Sequence, residues 1–528
     1  MRPEQGIHAI IVLLLLMVSF GTAGSAFGTM AVLPPDRSTA VPVNAPADLP
    51  GIAGTGSDPV QFLTDPATGN QYVSNEIIVR YDWSRFRNRD EMQAYLNASH
   101  TKNGARVLRH FNATTLPGMQ LVRLPASLSV PDAIAAYRKD PAVLWAEPDW
   151  RILPVIGSTD LQPAGSSPSP GNALVIPDDP EFSRQYHLRN TGQAILNMSG
   201  TPGADINATA AWGITRGSAD VTVGIMDTGI DSEDPDLAGN IWTNPATGGH
   251  GGNFTGGTRD DRVMDTQGHG TGMARVLGAV TNNSLGTAGV AWDVRLMALK
   301  VFTTGYGDST TTGDVIDAIQ FAGENGASVV SISWVSAVDS RAVEDAIRAS
   351  PALFVVAAGN SGTDNTVTPR YPAAYRLPNL ITVAATDQND ALAPFSNYGN
   401  DSVDLAAPGV SIPVYACAEP GTVDPKCGYY MMDGTSVAVP QVAGIAVLVK
   451  SINPRLTNVQ LRDVIRKSVQ ALPSLAGKTS TGGRLDAYAA VLGAAQAAET
   501  TGAVPFMLCR NTGRTSGRGL VLPCDWPR

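Results

Sequence analysis

The chain has 528 residues, of which 43% are hydrophobic and 16% charged. That length and composition allow one large globular domain with accessory segments around a sizeable buried core. The formal net charge is −10 and no stretch forms a basic stripe, which argues against a nucleic-acid partner.

The N-terminus has the pattern of a secretory signal peptide. Arg2 precedes an apolar run at residues 9–20, and small residues follow that run. We expect residues 1–26 to be a signal, cleaved after Ala23 or Ala26, so that the protein is secreted to the cell exterior or the periplasm. A membrane anchor is the alternative, but it would need about 20 apolar residues. No later segment is expected to be long and apolar enough to span a bilayer.

A small domain is predicted between two linkers. Residues 27–73 are rich in Pro, Ala, Gly and Asp and predict a flexible lead-in, and residues 155–177 form a second Pro/Ser/Gly-rich linker. Between them, residues 74–154 have the pattern of an α+β domain. Its strand-like and helix-like stretches are, in order, "EIIVRY", "DEMQAYLNAS", "MQLVRLP" and the helix-then-strand run "VPDAIAAYRKDPAVLWAEPDW".

Residues 178–497 predict a large α/β domain, in which continuously apolar strands alternate with helices. The strands read "DVTVGIMD", "VRLMALKVF", "ASVVSISW", "LFVVAAGN" and "LITVAAT", with helices such as "TGDVIDAIQFAGENG" and "RAVEDAIRAS" between them. Strands that are apolar on both faces are typical of a mostly parallel sheet covered by helices on both sides. In such sheets, functional residues gather at the carboxyl ends of the strands. Residues 498–528 form a C-terminal extension without clear periodicity.

Four cysteines are consistent with an exported protein. Cys417 and Cys427 enclose one short loop, and Cys509 and Cys524 enclose another. Disulfides persist outside the cytosol, so we expect local pairing, with free buried thiols as the alternative.

Ser436, in "MMDGTSVAVPQVAG", is a candidate nucleophile between a glycine-containing turn and an apolar helix. The chain has six histidines, and none of them follows Ser436. A hydrolase with the order serine, acid, histidine is therefore excluded, and the His-Glu-x-x-His motif of zinc proteases is absent from the sequence.

His269 is the candidate base for that serine. It lies between Gly268 and Gly270 at the start of an apolar helix in "DTQGHGTGMARVLGAV", where glycines permit close approach and the helix gives a rigid mount. His187 and His250 are interpreted as solvated surface histidines.

Asp227 is the candidate acid, at the end of the strand in "VGIMDTGID". A carboxylate at the end of a buried strand is costly unless it is paired, so we expect it to orient His269. His269 should in turn lie within hydrogen-bonding reach of Ser436. Asp231 is the local alternative and is interpreted as a turn-capping residue.

The order Asp, His, Ser is that of subtilisin. The segments "VGIMDTGID", "GHGT", "VVAAGN" and "GTSVAVPQVAG" resemble, in sequence and spacing, the motifs of the subtilisin-like serine peptidases (the S8 family). "DDPEFSRQYHL", "AVTNNSLGTAGVA" and "VAATDQNDALAPFSNYG" are similar to its thermitase-type branch. The resemblance covers residues 178–490. It implies a subtilisin-like α/β fold and a serine endopeptidase that acts on proteins or peptides, which we expect to be a monomer.

The resemblance also implies a role for each candidate catalytic residue. Ser436 would attack the peptide carbonyl, His269 would transfer the proton, and Asp227 would orient His269. Asn360, in "VVAAGN", would donate a hydrogen bond to the oxyanion together with backbone N–H groups at the start of the Ser436 helix. A turn asparagine is the alternative for Asn360.

Substrate is expected to add as a strand against residues 331–336, "SISWVS". Where the family has Leu-Gly-Gly after the serine, Ser333 is followed here by Trp334 and Val335. Val335 should narrow the rim of the P1 pocket. Arg370 resembles a position on the floor of that pocket, and our hypothesis is a preference for polar or acidic P1 residues. An arginine that extends to solvent is the alternative.

"AVTNNSLGT" resembles the tight calcium loop of the family. The side chains that match are Asp179, Asp236 and Asn283, and oxygen donors of this kind suit a structural Ca²⁺ ion. The alternative is a plain turn with two surface aspartates.

The 74–154 domain resembles the family's inhibitory propeptide. This implies a self-processing zymogen whose own propeptide is an intramolecular inhibitor, with cleavage between Ile152 and Asp178. Two other functions remain open: a catalytically inert binding module with the same fold, and an esterase that uses the same triad.

Overall fold

The computed structural model describes residues 60–112, 114–155, 174–303, 309–417 and 427–500, with the backbone alone at 416, 417, 427 and 498–500. The predicted signal peptide, most of both linkers and the chain after residue 500 therefore lie outside the described residues.

The N-terminal domain is an antiparallel sheet with two helices packed on it. In chain order its elements are β1 (Phe62–Thr64), β2 (Gln71–Tyr81), α1 (Arg89–Lys102), β3 (Arg106–His110), β4 (Met119–Arg123), α2 (Val130–Tyr137) and β5 (Val143–Ile152). The strands lie in the order β5-β2-β4-β3, with β1 paired to β2. The side chains of Asn88 and Ser129 accept backbone hydrogen bonds at the starts of α1 and α2 and so end the preceding loops.

This domain begins earlier than the sequence predicts. The flexible lead-in is wrong for residues 62–73, because β1 and the start of β2 form a hairpin there. The hairpin closes through a turn in which the Asp65 carbonyl accepts the Gly69 N–H at 2.8 Å and the Asn70 carbonyl accepts the Asp65 N–H at 2.8 Å. Three-residue strands are too short to give a period-2 pattern, which is why composition alone indicated a linker.

The large domain contains a nine-stranded sheet in the order β18-β19-β15-β14-β13-β12-β8-β10-β9. All neighbouring strands in it are parallel except β18 and β19, so the predicted mostly parallel sheet is confirmed. The strands of the large domain are β6 (Ala194–Ile195), β7 (Met198–Ser199), β8 (Gly217–Asp227), β9 (Gly251–Asn253), β10 (Asp293–Lys300), β11 (Thr310–Thr311), β12 (Ala327–Ile332), β13 (Leu353–Ala357), β14 (Leu380–Thr386), β15 (Leu405–Pro408), β16 (Ile412–Cys417), β17 (Cys427–Met432), β18 (Val469–Ala471) and β19 (Gly483–Leu485).

Helices cover this sheet. They are α3 (Ala208–Ala211), α4 (His269–Gly278), α5 (Thr312–Glu324), α6 (Arg341–Ala349), α7 (Thr435–Ile452), α8 (Asn458–Lys467) and α9 (Ala487–Thr500). Short 3₁₀ helices occur at Trp83–Arg85, Phe182–Arg184, Ala238–Asn240, Thr255–Gly257 and Pro473–Leu475. Every residue of β13 is buried, as expected for a parallel strand with both faces covered.

Helix α7 is the central core helix. It packs against β8, β12, β13 and β14. With 18 apolar-rich residues it is long and apolar enough to cross a membrane, so the prediction that no later segment would qualify is wrong. Most of it is buried inside the protein, which is the ordinary environment of a core helix.

Parallel strands bring their carboxyl ends to one edge of the sheet. Asp227 ends β8, Ser333 follows β12, and Asn360 lies three residues after β13. The register pairs Ser331 with Ile225 and Ile332 with Val356, so these three chain segments are neighbours at that edge.

Candidate active site

Asp227 and His269 form a buried pair at the edge of the sheet. The Nδ1 atom of His269 lies 2.7 Å from Oδ1 of Asp227, and the residues are 4% and 2% exposed. His269 begins α4, and the next residue must be glycine, since a Cβ at Gly270 would lie 2.2 Å from the Gly229 carbonyl oxygen. The glycine thus allows the helix to approach β8 closely enough for the hydrogen bond.

The environment of His269 suits a base held in one tautomer. Burial disfavours the imidazolium, but the Asp227 charge and hydrogen bond, together with the Asp265 charge, outweigh that effect and raise the pKa of His269. Because Nδ1 donates to Asp227, the lone pair is on Nε2. That Nε2 atom is buried and has no hydrogen-bond partner among the described residues.

Ser436 is the second residue of α7 and is 1% exposed. Its hydroxyl donates to the Ser333 carbonyl at 3.0 Å, and the Ser333 hydroxyl donates to the Ser436 carbonyl at 3.0 Å. The Ser436 hydroxyl is thus bonded to Ser333 and, among the described residues, not to His269. Its predicted position within reach of Nε2 of His269 stays a prediction. A buried hydroxyl needs an acceptor, and the Ser333 carbonyl satisfies it here.

Asn360 binds the start of α7. Its Oδ1 atom accepts hydrogen bonds from the N–H and the hydroxyl of Thr435, at 2.8 and 2.9 Å. This fixes the orientation of the amide and leaves its NH₂ group as the donor, at the start of α7. The contacts with Thr435 fit the turn role. The oxyanion role stays a prediction.

The end of the N-terminal domain lies along the predicted substrate strand. The Val155 N–H donates to the Val335 carbonyl at 2.7 Å in an antiparallel bridge. On the other side, Ile152 and Arg151 pair with Thr310 and Thr311 of β11. The tail of the first domain is therefore an added strand in the groove where a peptide was predicted to bind.

The predicted substrate-binding residues differ in their environments. Val335 and Ser333 are buried beside the added strand, whereas Trp334 faces the core: its indole N–H donates to the Met226 carbonyl at 3.0 Å and its ring packs edge-on against Phe302. The Trp334 side chain therefore packs into the core, and the predicted contact of this residue with a substrate strand stays a prediction for its backbone.

Arg370 precedes Tyr371, whose backbone exchanges two hydrogen bonds with Ser336 next to the substrate strand. Arg370 is half-buried, its Nε atom is buried without a hydrogen-bond partner, and no carboxylate pairs with it in the described part of the chain.

Two acidic residues of the first domain cap helices of the second. The Glu147 carboxylate accepts hydrogen bonds from the Ser340 hydroxyl at 2.8 Å and from the N–H groups of Arg341 and Ala342 at 3.1 Å, at the start of α6. Asp149 accepts the Gly313 N–H at 2.9 Å at the start of α5. Carboxylates at helix N-termini satisfy free N–H groups and interact favourably with the helix dipole. Burial raises the pKa of Glu147 to about 7.

Sequence reasoning missed these caps, although "AEPDW" carried the signal: acidic residues two apart on a strand point to the same face. The same face adds apolar contacts, since Ile78 and Leu121 belong to one buried cluster with Ile319 and Ala346 of the large domain.

The predicted calcium ligands lie close together. Asp236 accepts hydrogen bonds from the Asn283 amide at 3.2 Å and from the Thr287 N–H at 3.0 Å. Asp179 accepts the Asn282 N–H at 2.8 Å, while its Oδ1 atom is buried and finds no hydrogen-bond partner in the described part of the chain. Both aspartates are buried, so the alternative of two surface aspartates is wrong.

Oxygen donors around an orphaned carboxylate oxygen fit a hard cation. Within the described ranges, no group of three or more His, Cys, Asp or Glu side chains could hold a metal ion. Any cation here would therefore depend on amide and backbone oxygens in addition to the two carboxylates.

The other candidate residues have mixed outcomes. His187 is fully buried, so the surface interpretation is wrong, and neither ring nitrogen has a hydrogen-bond partner within the described ranges. Burial lowers its pKa to about 3. His250 is half-buried, with Nδ1 3.1 Å from the Trp242 carbonyl. Asp231 accepts the Glu233 N–H, the predicted turn contact.

The predicted cysteine pairs fall largely outside the described residues. Cys417 and Cys427 are directly opposite each other in the backbone of the β16–β17 hairpin, but their side chains are not described, and Cys509 and Cys524 lie beyond residue 500.

Comparison with known proteins decides the family. The model of the subtilase family (peptidase S8) matches residues 218–489, which is more than half of the chain. The chain belongs to the subtilase family. It is a serine endopeptidase. A second family model, that of the fervidolysin N-terminal prodomain, matches residues 59–149. We refer to the first domain as the prodomain and to the second as the subtilase domain.

Relatives in sequence and structure agree with this assignment. The subtilase is 30% identical over 430 residues to the thermophilic serine proteinase of Bacillus sp. (strain AK1), covering 80% of this chain and 88% of that one. It is 36% identical over 319 residues to thermitase of Thermoactinomyces vulgaris, covering 60% and 99%, which confirms the predicted thermitase-like branch.

Two solved structures share the fold. A protease from Pseudoalteromonas arctica has a TM-score of 0.51 at 27% identity and covers 60% of this chain and 99% of its own. Fervidolysin from Fervidobacterium pennivorans has a TM-score of 0.61 over 80% of this chain and 61% of its own; at 21% identity this likeness concerns the fold alone.

Proposed function

We propose that this subtilase is secreted as a self-processing zymogen and hydrolyses peptide bonds through an Asp227–His269–Ser436 triad. The observation that carries the proposal is the buried Asp227–His269 hydrogen bond of 2.7 Å, which leaves Nε2 of His269 as a base without a partner. The signal-like N-terminus supports export, and the prodomain supports a zymogen.

In the proposed reaction, the Ser436 hydroxyl turns from the Ser333 carbonyl to Nε2 of His269. As Oγ attacks the substrate carbonyl carbon, the proton moves to Nε2, and Asp227 stabilises the imidazolium that forms. The raised pKa of His269 favours this proton transfer.

The carbonyl π electrons move to oxygen, where the NH₂ group of Asn360 and the Ser436 N–H would donate to the oxyanion. Support for this comes from Asn360, whose Oδ1 atom is bonded to Thr435 at the start of α7, so that its NH₂ group is the side of the amide that can donate. The tetrahedral intermediate then collapses, the amine takes the proton from His269 and leaves, and an acyl-enzyme remains. Water repeats the cycle, with His269 as base, to release the acid and restore Ser436.

Labelling with a serine-directed fluorophosphonate tests this function. The mature enzyme is expected to be labelled and Ser436→Ala is not, while Ser474→Ala, an exposed serine distant from α7 in sequence, keeps the label. An unlabelled wild type would indicate the inert binding module. Turnover of short esters without casein digestion would indicate the esterase.

The position of the prodomain tail predicts the bond that is processed. Val155 pairs with Val335 in an antiparallel bridge, so counting two residues along each strand brings position 157 opposite Ser333. The Ser333 carbonyl is the acceptor of the Ser436 hydroxyl. Residues 156–173 lie outside the described range, so this bond, Gly157–Ser158, is predicted from the register alone. N-terminal sequencing of the mature form is expected to begin at Ser158, and a different first residue would refute this register.

We propose that Arg370 biases the P1 pocket toward acidic or polar side chains. Its support is the half-buried guanidinium without a carboxylate partner, beside the segment that pairs with Ser336. A buried cation of this kind is stabilised by an incoming carboxylate.

We further propose a structural Ca²⁺ ion held by Asp179, Asp236 and Asn283. It would cross-link the chain segment around Asp179 to the 280–287 loop and take no part in catalysis. Chelation is expected to lower the melting temperature of the wild type but not that of Asp179→Ala. An unchanged wild-type melting temperature would remove the metal from the proposal.

A further inference from the structure

Arg275 is a buried arginine on α4, six residues after His269, and is 4% exposed. Its Nε and Nη2 atoms donate to the two oxygens of Asp234 at 2.7 and 2.6 Å. Its Nη1 atom donates to Asp236 at 3.2 Å and to the Tyr429 hydroxyl at 2.8 Å. The guanidinium carbon also lies 4.5 Å from the ring centre of Tyr415.

Together, Arg275 and its partners link the three chain segments that carry, or lead directly to, a triad residue. Asp234 and Asp236 lie in the loop that follows Asp227. Arg275 itself is on the helix that begins with His269. Tyr415 and Tyr429 face each other across the β16–β17 hairpin, and β17 ends four residues before Ser436.

We propose that Arg275 is a positioning residue that holds the acid-, base- and nucleophile-bearing segments in register. This inference rests on the proposed triad. A planar guanidinium suits the task because its fixed fork of donors can bind a carboxylate bidentately, reach a second acceptor and stack on an aromatic ring. A lysine offers one point charge and cannot make these contacts at once.

Removal of the positive charge of Arg275 is expected to disrupt this cluster. Two buried carboxylates, Asp234 and Asp236, would then face each other without their shared cation, which is strongly unfavourable. The loop after Asp227 would have to move away from α4. The 280–287 loop closes on the same cluster, since a Cβ at Gly286 would lie 2.2 Å from Asp236 and 2.5 Å from the Tyr429 hydroxyl.

The expected kinetic effect is a loss of turnover without a loss of substrate binding. A misplacement of catalytic groups by about 1 Å can cost on the order of 10²-fold in rate. Among the described residues, no hydrogen bond or ion pair joins Val335, in the predicted substrate strand, to Arg275 or to its partners. We expect kcat of Arg275→Met to fall by about 10- to 100-fold per active site, with KM within about threefold of wild type.

The experiment compares mature wild type, Arg275→Met, Arg275→Lys and the control Arg376→Met, an exposed arginine that pairs with Asp401. Fluorophosphonate titration counts active sites, so that a loss of folded enzyme is not mistaken for a loss of rate, and a fixed excess of calcium is kept throughout. Addition of methylguanidinium to Arg275→Met is expected to restore part of kcat, and Arg275→Lys is expected to remain impaired.

Unchanged kcat per active site in Arg275→Met, or a change confined to KM, would overturn the inference. If Arg275→Met does not fold, Tyr429→Phe decides, because it removes one hydrogen bond and keeps the ring. A fall of about threefold or more in its kcat supports the inference, and wild-type kcat overturns it. If the wild type is active and the variants have wild-type kcat, the positioning role of Arg275 is refuted and the triad is not. If the wild type is not labelled at Ser436, the triad itself is refuted.

Discussion

The contacts of Glu147 allow the strength of prodomain docking to be predicted. Three hydrogen bonds join this carboxylate to the start of α6. A net value of about 0.5–1 kcal/mol for each, the lower part of the usual range because burial opposes the charge, gives about 1.5–3 kcal/mol. Loss of that amount in Glu147→Ala corresponds to a dissociation constant about 10- to 150-fold weaker.

The assay is activity on a fluorogenic peptide as the processed but still docked complex is diluted. Free enzyme appears as the prodomain dissociates, so the concentration dependence of the initial rate gives the apparent dissociation constant. Glu91→Ala, which removes a half-buried carboxylate paired with Arg87 within the prodomain, is the matched control and is expected to match wild type. A constant for Glu147→Ala within about twofold of wild type would refute the capping argument.

The same residue predicts a pH dependence of docking. Burial raises the pKa of Glu147 to about 7 in the docked state. The docked state therefore binds more protons than the free prodomain, so the contribution of this group to docking is present at low pH and is lost as the pH rises through about 7. Glu147→Gln, which cannot ionise, is expected to show a flatter dependence between pH 5 and 8.

Three further outcomes are expected. Asp227→Asn should lower kcat by about 10⁴-fold with little change in KM, as measured by peptide hydrolysis, because the amide favours the wrong tautomer of His269. Arg370→Gln should reduce hydrolysis of peptides with P1 Glu relative to P1 Leu in a substrate library, and equal losses for both would refute a role in specificity. Burial lowers the pKa of His100, so the prodomain should lose stability as the pH falls below about 6.5. Limited proteolysis of the full-length Ser436→Ala zymogen should show this loss, and His100→Gln should weaken it.

Much of the active site could be predicted because its residues are marked by their immediate neighbours in the sequence or by their order along the chain. The position of Asp227 follows from a strand that is apolar up to its last residue, and His269 follows from glycine on both sides and a helix start. The order of the histidines and Ser436 along the chain excluded the competing hydrolase class. The mostly parallel sheet follows from strands that are apolar throughout, since alternating strands would indicate one solvated face.

What could not be predicted depends on contacts between distant segments. The polar residues around His187 in the sequence are typical of a surface histidine. Its burial follows from the packing of residues 182–188 in the folded chain. Trp334 is adjacent to the substrate strand in sequence, yet alternation along that segment turns its ring toward Phe302 and the core. Arg275 gives no sequence signal, because Asp234, Asp236 and Tyr429 meet it only once the hairpin folds over α4.

The prodomain makes two kinds of contact with the subtilase domain: its tail occupies the groove, and its acidic caps dock it on α5 and α6. Its tail uses the backbone positions that a substrate strand would use, at Val335 and Thr310, so occupation of the groove is sufficient to exclude substrate. Its caps at α5 and α6, through Asp149 and Glu147, lie on elements that cleavage of the 155–177 linker does not break. Cutting the linker therefore removes the covalent connection but none of the cap hydrogen bonds. Release of active enzyme should then be limited by dissociation or digestion of the prodomain rather than by the cut itself, because the cap contacts remain after cleavage.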